Sequence, residues 1–128
     1  MRFLLDTHVL LRGAIEPERL SSAASSLIED SNNEIVFSSV SLWEIAIKAG
    51  RGRAGFRIDA GVLRRSLFEN GYVELAVTSA HAAGLGSLPP IHRDPFDRML
   101  VAQAAFEGLT LLTSDRTVAK YPGSIRLI

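Results

Sequence analysis

The chain alternates short apolar runs with longer stretches in which apolar residues recur at helical spacing. The short runs are rich in aliphatic and β-branched residues and predict strands at 3–5, 34–38, 72–77, 109–113 and 125–128. The longer stretches, several of which begin at serine, threonine or aspartate, predict helices at 7–13, 21–30, 39–49, 59–70, 78–86, 94–107 and 114–121. Glycine and arginine at 50–57 and prolines at 89–90 predict loops.

Strands that alternate with helices through short connections are typical of a parallel sheet covered by helices on both faces. The run at 109–113 has no polar side chain except threonine, as expected for a strand that is buried on both sides. We therefore predict an α/β fold, a three-layer α/β/α sandwich around a mainly parallel central sheet. A length of 128 residues suits one core, so we expect a single domain over 1–128.

Composition narrows the functional classes that this fold can serve. Hydrophobic residues make up 47% of the chain, enough for a well-buried core without covalent cross-links. The absence of cysteine excludes disulfides, thiolate metal sites and cysteine nucleophiles, and it makes the cytoplasm the expected location. Because no apolar run approaches the roughly 18 residues of a membrane span, we expect no membrane association.

The net charge is zero, from 14 basic and 14 acidic residues, so the chain lacks the basic balance typical of nucleic-acid binders. A surface for nucleic acid would therefore have to be local. Segment 48–65 is one candidate, because it holds a single acid, Asp59, beside the basic residues Lys48, Arg51, Arg53, Arg57, Arg64 and Arg65. A solvated surface of helix and loop explains the same charges equally well.

Several acidic residues fall where a parallel sheet brings its functional groups together. Asp6 follows the first predicted strand directly, and Asp115 lies just past the strand at 109–113. Ligands of open parallel sheets bind beyond the carboxyl ends of the strands. Glu44 lies about two turns into the helix after the second strand, and Asp94 and Asp97 begin the helix before the fourth. We expect these side chains to converge at one edge of the sheet.

Each acid also has a structural explanation as a helix cap. Asp6 and Asp115 precede predicted helices, residues 41–44 match a capping box, and Asp94 with Pro95 fits a helix start that has Asp97 in its first turn. Taken one at a time, capping is the better explanation of each acid.

Glu44 fits the capping explanation least well. The apolar residues around it predict that its whole helix is buried, and a buried carboxylate requires a cation. Lys48, one turn further along the helix, is the simplest candidate, and a metal ion is the other.

Four converging carboxylates would repel one another and raise their pKa values, which opposes folding. A hard divalent cation with oxygen ligands removes that conflict. Cysteine is absent, and the spacing of the histidines His8, His81 and His92 does not match a zinc site. Mg²⁺ or Mn²⁺ is therefore the expected ion. The associated chemistry is phosphoryl transfer, in which such an ion strengthens water as a nucleophile and stabilises the leaving oxygen.

Four blocks of the chain resemble the motif blocks of PIN-domain nucleases and, more narrowly, of the virulence-associated protein C (VapC) toxins of bacterial type II toxin–antitoxin pairs. They occur in the family's order at 3–11, 39–48, 92–104 and 111–115. Each block alone is weak, but four in order are specific. The resemblance implies an Mg²⁺- or Mn²⁺-dependent endoribonuclease that acts on RNA as a homodimer and is held inactive by a cognate antitoxin protein.

The resemblance also assigns roles to the acids. Asp6, Asp97 and Asp115 would bind the metal, directly or through water. Glu44 would orient or deprotonate the attacking water, or complete the metal shell. Asp94 would be an accessory acid or only the helix cap.

Further residues are implied around these acids. Thr7, Ser39 and Ser114 match positions where the family often has hydroxyls near the site, with local capping as the alternative for each. Contacts to substrate phosphates would come from basic residues, namely Lys48, Arg51, Arg53, Arg93 and Arg98, although solvated or ion-paired roles explain them as well. The segment 51–65 can guide RNA or contact the antitoxin.

Other classes remain as alternatives. A haloacid dehalogenase-type enzyme also begins with strand and aspartate, but it requires a second acid two residues on, where this chain has His8. A receiver-type signalling module requires a pair of acids after the first strand, whereas Asp6 stands alone. A PIN nuclease outside a toxin–antitoxin pair and an inactive PIN module that only binds a partner are the remaining alternatives.

Overall fold

The computed structural model describes residues 1–50 and 58–128. Its strands are β1 Arg2–Leu5, β2 Glu34–Ser38, β3 Val73–Leu75, β4 Thr110–Thr113 and β5 Ile125–Leu127. Its α-helices are α1 Thr7–Ile15, α2 Ser22–Glu29, α3 Ser39–Gly50, α4 Ala60–Glu69, α5 Ser79–Gly84 and α6 Pro95–Glu107. Short 3₁₀ turns occur at Pro17–Arg19, Leu85–Ser87 and Val118–Lys120. Within the described ranges, no helix has the length and hydropathy needed to cross a membrane.

The five strands form one sheet in the order β3-β2-β1-β4-β5, and every neighbouring pair is parallel. The predicted α/β/α sandwich is therefore confirmed, with a sheet that is parallel throughout its described strands. The chain builds outward from β1 to β3 and then returns to β4 on the other side of β1. The direction of winding reverses between β1 and β4, and the crevice at such a point is where doubly wound folds bind ligands.

Side chains of the central strands alternate between two separate cores, although both sides are apolar. Phe3 and Leu5 face a core shared with α1, α3 and α4, while Leu4 faces a core shared with α6. These three residues are fully buried. Because helices cover both faces, the strands need no polar face, which explains the continuous apolar runs in the sequence.

The helix predicted at 114–121 is wrong. The segment contains only the 3₁₀ turn Val118–Lys120, in which the Tyr121 amide donates to the carbonyl of Val118 at 3.2 Å. Pro122 lacks the N–H that a longer helix would need, and one turn alone is too short to propagate an α-helix. Two other elements are shorter than predicted by more than two residues. The strand predicted at 72–77 is only β3, and the helix predicted at 78–86 consists of α5 followed by a 3₁₀ turn.

Helix α3 is not buried all round, contrary to the expectation from its apolar sequence. Glu44 and Ile45 are buried, but Trp43 is 61% exposed and packs edge-on against Phe96 of α6 at 5.2 Å between ring centroids. The helix contacts β2, α4 and α6, and Ala46 is exposed as well as Trp43. Gly50 belongs to α3, and the rest of the loop predicted at 50–57 lies outside the described residues.

Gly108 ends α6 in the left-handed conformation, with φ of 69°, as predicted for a glycine at that place. A Cβ added there would meet nothing within 4 Å, so the penalty for Gly108→Ala is conformational. We expect this change to lower the free energy of unfolding by about 1 kcal/mol. Gly84→Ala is the matched control, since Gly84 has φ of −66° and equally open space. Urea unfolding that shows equal losses for both variants would contradict the argument.

Candidate metal centre

Asp6 begins α1 at the carboxyl end of β1, and it is 1% exposed. Its Oδ1 accepts the amide N–H of Val9 at 2.8 Å, so Asp6 is the helix cap that the capping alternative requires. Its Oδ2 accepts the hydroxyl of Thr113. Burial raises the pKa of Asp6, and these two hydrogen bonds oppose the increase. Capping occupies one oxygen only, so it does not exclude a functional role for the other.

Thr113, the last residue of β4, links two of the candidate acids. Its hydroxyl donates to Asp6 and accepts the amide N–H of Asp115 at 3.0 Å. The pairing of Leu5 with Leu112 sets this register, because the next residues of the two strands are then neighbours. Sequence analysis missed Thr113. The signal was a threonine at the end of a strand, which becomes informative only once β1 and β4 are known to pair.

Asp115 combines a capping role with a side chain turned to the same site. Its Oδ1 accepts the amides of Thr117 at 2.7 Å and Val118 at 3.3 Å, while its Oδ2 lies 3.2 Å from Nε2 of His92. Desolvation raises the pKa of Asp115, but the Thr117 amide and His92 outweigh it, so the pKa lies below its usual value. Asp115 is therefore ionised at neutral pH.

Asp97 lies in the first turn of α6, and its carboxyl group has a raised pKa. Desolvation raises its pKa to about 7, helped by repulsion from Asp94, Asp6 and Glu44, whereas His92 lowers it. The charges that act on Asp97 include all the other candidate acids except Asp115. The Oδ2 atoms of Asp97 and Asp115 lie 3.5 and 3.2 Å from the same His92 nitrogen. The structure thus brings the four acids of the sequence prediction to one edge of the sheet.

Asp94 is the N-cap of α6. Its Oδ1 accepts the amides of Phe96 at 2.8 Å and Asp97 at 3.3 Å, with Pro95 in the first turn. This geometry favours the capping alternative for Asp94. Its charge nevertheless contributes to the raised pKa of Asp97.

Glu44 projects from α3 and is 4% exposed. Its Oε2 accepts Nζ of Lys48 at 2.6 Å, so the lysine predicted as its partner is present. Its Oε1 is buried without a hydrogen-bond partner in the part of the chain that the structure describes. An unsatisfied buried acceptor costs about 1–3 kcal/mol, and more when it is charged. The orphaned oxygen therefore indicates a further positive or donating group that the described residues do not supply.

The residues present fit a hard divalent cation. One ligand atom from each of His92, Asp97 and Asp115 lies within 4.8 Å of the others. Asp6 and Glu44 add oxygens close enough to repel Asp97. Oxygen-rich sites of this kind suit Mg²⁺ and Mn²⁺, and positive charge would relieve both the repulsion and the unpartnered oxygen of Glu44.

The three predicted hydroxyl residues occupy different environments. Thr7 is buried, and its Oγ1 donates to Oγ of Ser41 at 3.0 Å. The backbone N–H of Ser114 lowers the pKa of Asp6, which places this residue at the site. The hydroxyl of Ser39 instead accepts the amide of Val77 at 3.2 Å, so it fastens the chain after β3.

The predicted phosphate-binding residues divide in a similar way. Lys48 is engaged by Glu44, and Arg93 is exposed beside the cap of α6. Arg98 donates to the carbonyl of Pro89 and the hydroxyl of Tyr121, both at 3.0 Å, which favours a structural role over RNA contact. The other two predicted residues, Arg51 and Arg53, lie outside the described part of the chain.

Comparisons with known proteins agree with this architecture. The family model described as PIN domain matches residues 3–124. Ribonuclease VapC22 of Mycobacterium tuberculosis is 34% identical over 119 residues, which cover 92% of this chain and 90% of the relative.

Solved structures give the same fold. The structure of VapBC2 from Rickettsia felis bound to a promoter DNA fragment has a TM-score of 0.71 at 15% identity, covering 100% of this chain and 99% of that chain. The structure of DNA-bound VapBC from Salmonella typhimurium has a TM-score of 0.69 at 19% identity, covering 100% and 97%. The resemblance expected from the four sequence blocks is therefore confirmed, and the chain belongs to the PIN domain family.

Proposed function

We propose that this PIN domain, as a single unit over 1–128, is an Mg²⁺- or Mn²⁺-dependent endoribonuclease and the toxin of a type II toxin–antitoxin pair in the cytoplasm. The observation that carries the metal-dependent part is the buried Oε1 of Glu44, which has no hydrogen-bond partner within residues 1–50 and 58–128 and lies near three further acids. The similarity to a VapC ribonuclease supports RNA as the substrate.

In this proposal, Asp6, Asp97 and Asp115 hold the ion through carboxylate oxygens at the ends of β1 and β4 and in the first turn of α6. When bound, the ion would acidify a water and neutralise charge on the substrate phosphate. The chain itself positions the carboxylates for the ion, because hydrogen bonds from Thr113 and from the capped turns hold them in place without it.

Glu44 has the geometry to accept a proton from the attacking water in the same reaction. Lys48 holds Oε2 at 2.6 Å, which fixes the carboxylate, and no donor among the described residues engages Oε1. A carboxylate within hydrogen-bonding reach of a water can orient it or take its proton. Arg93, which is exposed and directly precedes the cap of α6, is a candidate for contacting a substrate phosphate.

The proposed partners are RNA, a second copy of the chain and a cognate antitoxin. Solved VapBC and other toxin–antitoxin complexes share this fold, which supports an antitoxin partner. A PIN nuclease outside such a pair is the alternative. The two differ in whether a small neighbouring protein forms an inhibited complex with the chain.

The test is cleavage of a structured RNA by purified protein with and without a chelator. We expect no cleavage in EDTA and recovery with Mg²⁺ or Mn²⁺, because the acids by themselves repel the anionic substrate. Cleavage that persists in EDTA would overturn the metal-dependent proposal. If the product of a short upstream reading frame neither binds the chain nor suppresses cleavage, the toxin assignment fails and the nuclease assignment stands.

A further inference from the structure

His92 lies beside two of the candidate acids, Asp115 and Asp97. Its Nε2 lies 3.2 Å from Oδ2 of Asp115 and 3.5 Å from Oδ2 of Asp97. Sequence analysis had set it aside because the histidines lack zinc-site spacing. The geometry leaves two roles for His92, as a nitrogen ligand of the ion or as a hydrogen-bond donor to the acids.

The other ring nitrogen distinguishes these roles. The amide N–H of Asp94 donates to Nδ1 of His92 at 3.0 Å. A ring nitrogen that accepts a hydrogen bond carries no proton, so the proton of the neutral ring is on Nε2. A histidine that bound metal through Nε2 would instead carry its proton on Nδ1. That proton would point at the N–H of Asp94, so two donors would face each other.

A second histidine of the chain shows the same arrangement. The amide of Thr78 donates to Nδ1 of His81 at 3.0 Å, and Nε2 of His81 lies 2.8 Å from Oε2 of Glu107. In both places a backbone amide fixes the tautomer, and the opposite nitrogen faces a carboxylate. The arrangement at His92 therefore follows from a local hydrogen bond and does not depend on the metal.

The position of His92 is also firmly held. Its amide donates to the hydroxyl of Tyr121 at 2.8 Å, and Tyr121 is 3% exposed. Arg98 donates to the same hydroxyl at 3.0 Å. A ring anchored in this way can hold the two neighbouring carboxylates in one orientation.

We propose that His92 is a positioning residue that donates its Nε2–H to Asp115 and keeps Asp97 beside the same nitrogen at 3.5 Å, so that both carboxylates face the cation site without His92 itself binding the ion. Each carboxylate oxygen has two lone pairs, so an oxygen that accepts from His92 can still bind an ion. The role rests on the proposed metal-dependent function. In this role, the ring of His92 donates a hydrogen bond to the acidic ligand Asp115 from the side away from the ion.

The experiment compares Mn²⁺ binding by the wild type, His92→Asn and His92→Gln, using titration calorimetry. Asparagine places an acceptor where Nδ1 was and keeps the bond from Asp94, but it removes the donor at Nε2. Glutamine reaches far enough to restore that donor. We expect Mn²⁺ affinity to fall about 10-fold or more in His92→Asn, which is typical of lost outer-shell bonds, and to recover in His92→Gln. Equal affinity in wild type and His92→Asn would overturn the proposal.

Pulsed EPR of Mn²⁺ bound to the wild type supplies a second readout. We expect no nitrogen coupling from a directly bound histidine. A strong ¹⁴N coupling that is replaced by a ¹⁵N coupling when histidine is labelled with ¹⁵N, and that is absent from His92→Gln, would identify His92 as a ligand and overturn the positioning role, while leaving the nuclease proposal intact. A wild type that binds no Mn²⁺ at all would overturn both proposals.

Discussion

Asp6→Asn is expected to lower the rate of RNA cleavage by at least about 100-fold while the protein remains folded. Removal of one preorganised electrostatic group from an active site has effects of this order. Asparagine caps helices as well as aspartate does, so the bond from the Val9 amide survives. The charge that would hold the ion is lost, and the amide nitrogen facing Thr113 cannot accept its hydroxyl proton. The measurement is the initial rate on one RNA substrate at saturating Mg²⁺.

Asp59→Asn is the matched control for this change. Asp59 is also an N-cap, at the start of α4, where its Oδ1 accepts the amides of Gly61 and Val62 at 2.8 and 3.1 Å. Its side chain is exposed and it does not appear among the charges that shift the pKa values of the site acids. We expect unchanged cleavage. A small loss in Asp6→Asn, or an equal loss in both variants, would show that Asp6 is only a cap.

Asp97→Asn is expected to stabilise the metal-free protein at pH 8 and to leave its stability nearly unchanged at pH 4. The pKa of Asp97 rises from 3.8 to about 7 on folding, mainly through desolvation. Between these values the unfolded chain releases the proton while the folded chain retains it, so stability falls as pH rises. The full shift corresponds to about 4 kcal/mol, and solvent screening reduces the expected difference to about 2–3 kcal/mol.

Urea unfolding of wild type and Asp97→Asn in EDTA, at several pH values from 4 to 8, measures this difference. The wild type should gain stability when Mg²⁺ is added at pH 8, by RT ln(1 + [L]/Kd), or about 2.7 kcal/mol at 100 times Kd. The variant should lose most of that gain. A variant less stable than wild type at pH 8 in EDTA would contradict the view that like charges and burial strain this carboxylate in the empty site.

Local signals in the chain predicted most of the elements. The strand before Asp6, the aspartate–proline start of α6 and the glycine that ends it all have the predicted bounds within two residues. These features depend on hydrogen bonds and dihedral angles that span four or five residues. The same reasoning gave a wrong prediction at 114–121. Asp115 does cap a turn there, but the proline at 122 prevents the turn from extending into an α-helix.

Which side of a helix is buried could not be predicted in the same way. The residues around Glu44 are apolar on every side, so the sequence favoured complete burial of α3. In the fold, β2, α4 and α6 cover only part of its surface, and Trp43 is 61% exposed although it packs against Phe96 of α6. Burial is decided by the neighbours that a helix meets, and these come from distant parts of the chain.

By itself, the sequence determined the alternation of strands and helices, the absence of thiol chemistry and the placement of acids at strand ends and helix starts, because each of these is local. Only the tertiary structure decided that β4 pairs with β1, which joins Thr113 to Asp6 across 107 positions of sequence. It also decided that one oxygen of Glu44 finds no partner in the described part of the chain and that His92 faces two carboxylates. Electrostatic repulsion and desolvation depend on distance in space, so the chemistry of the site emerges only when the chain is folded.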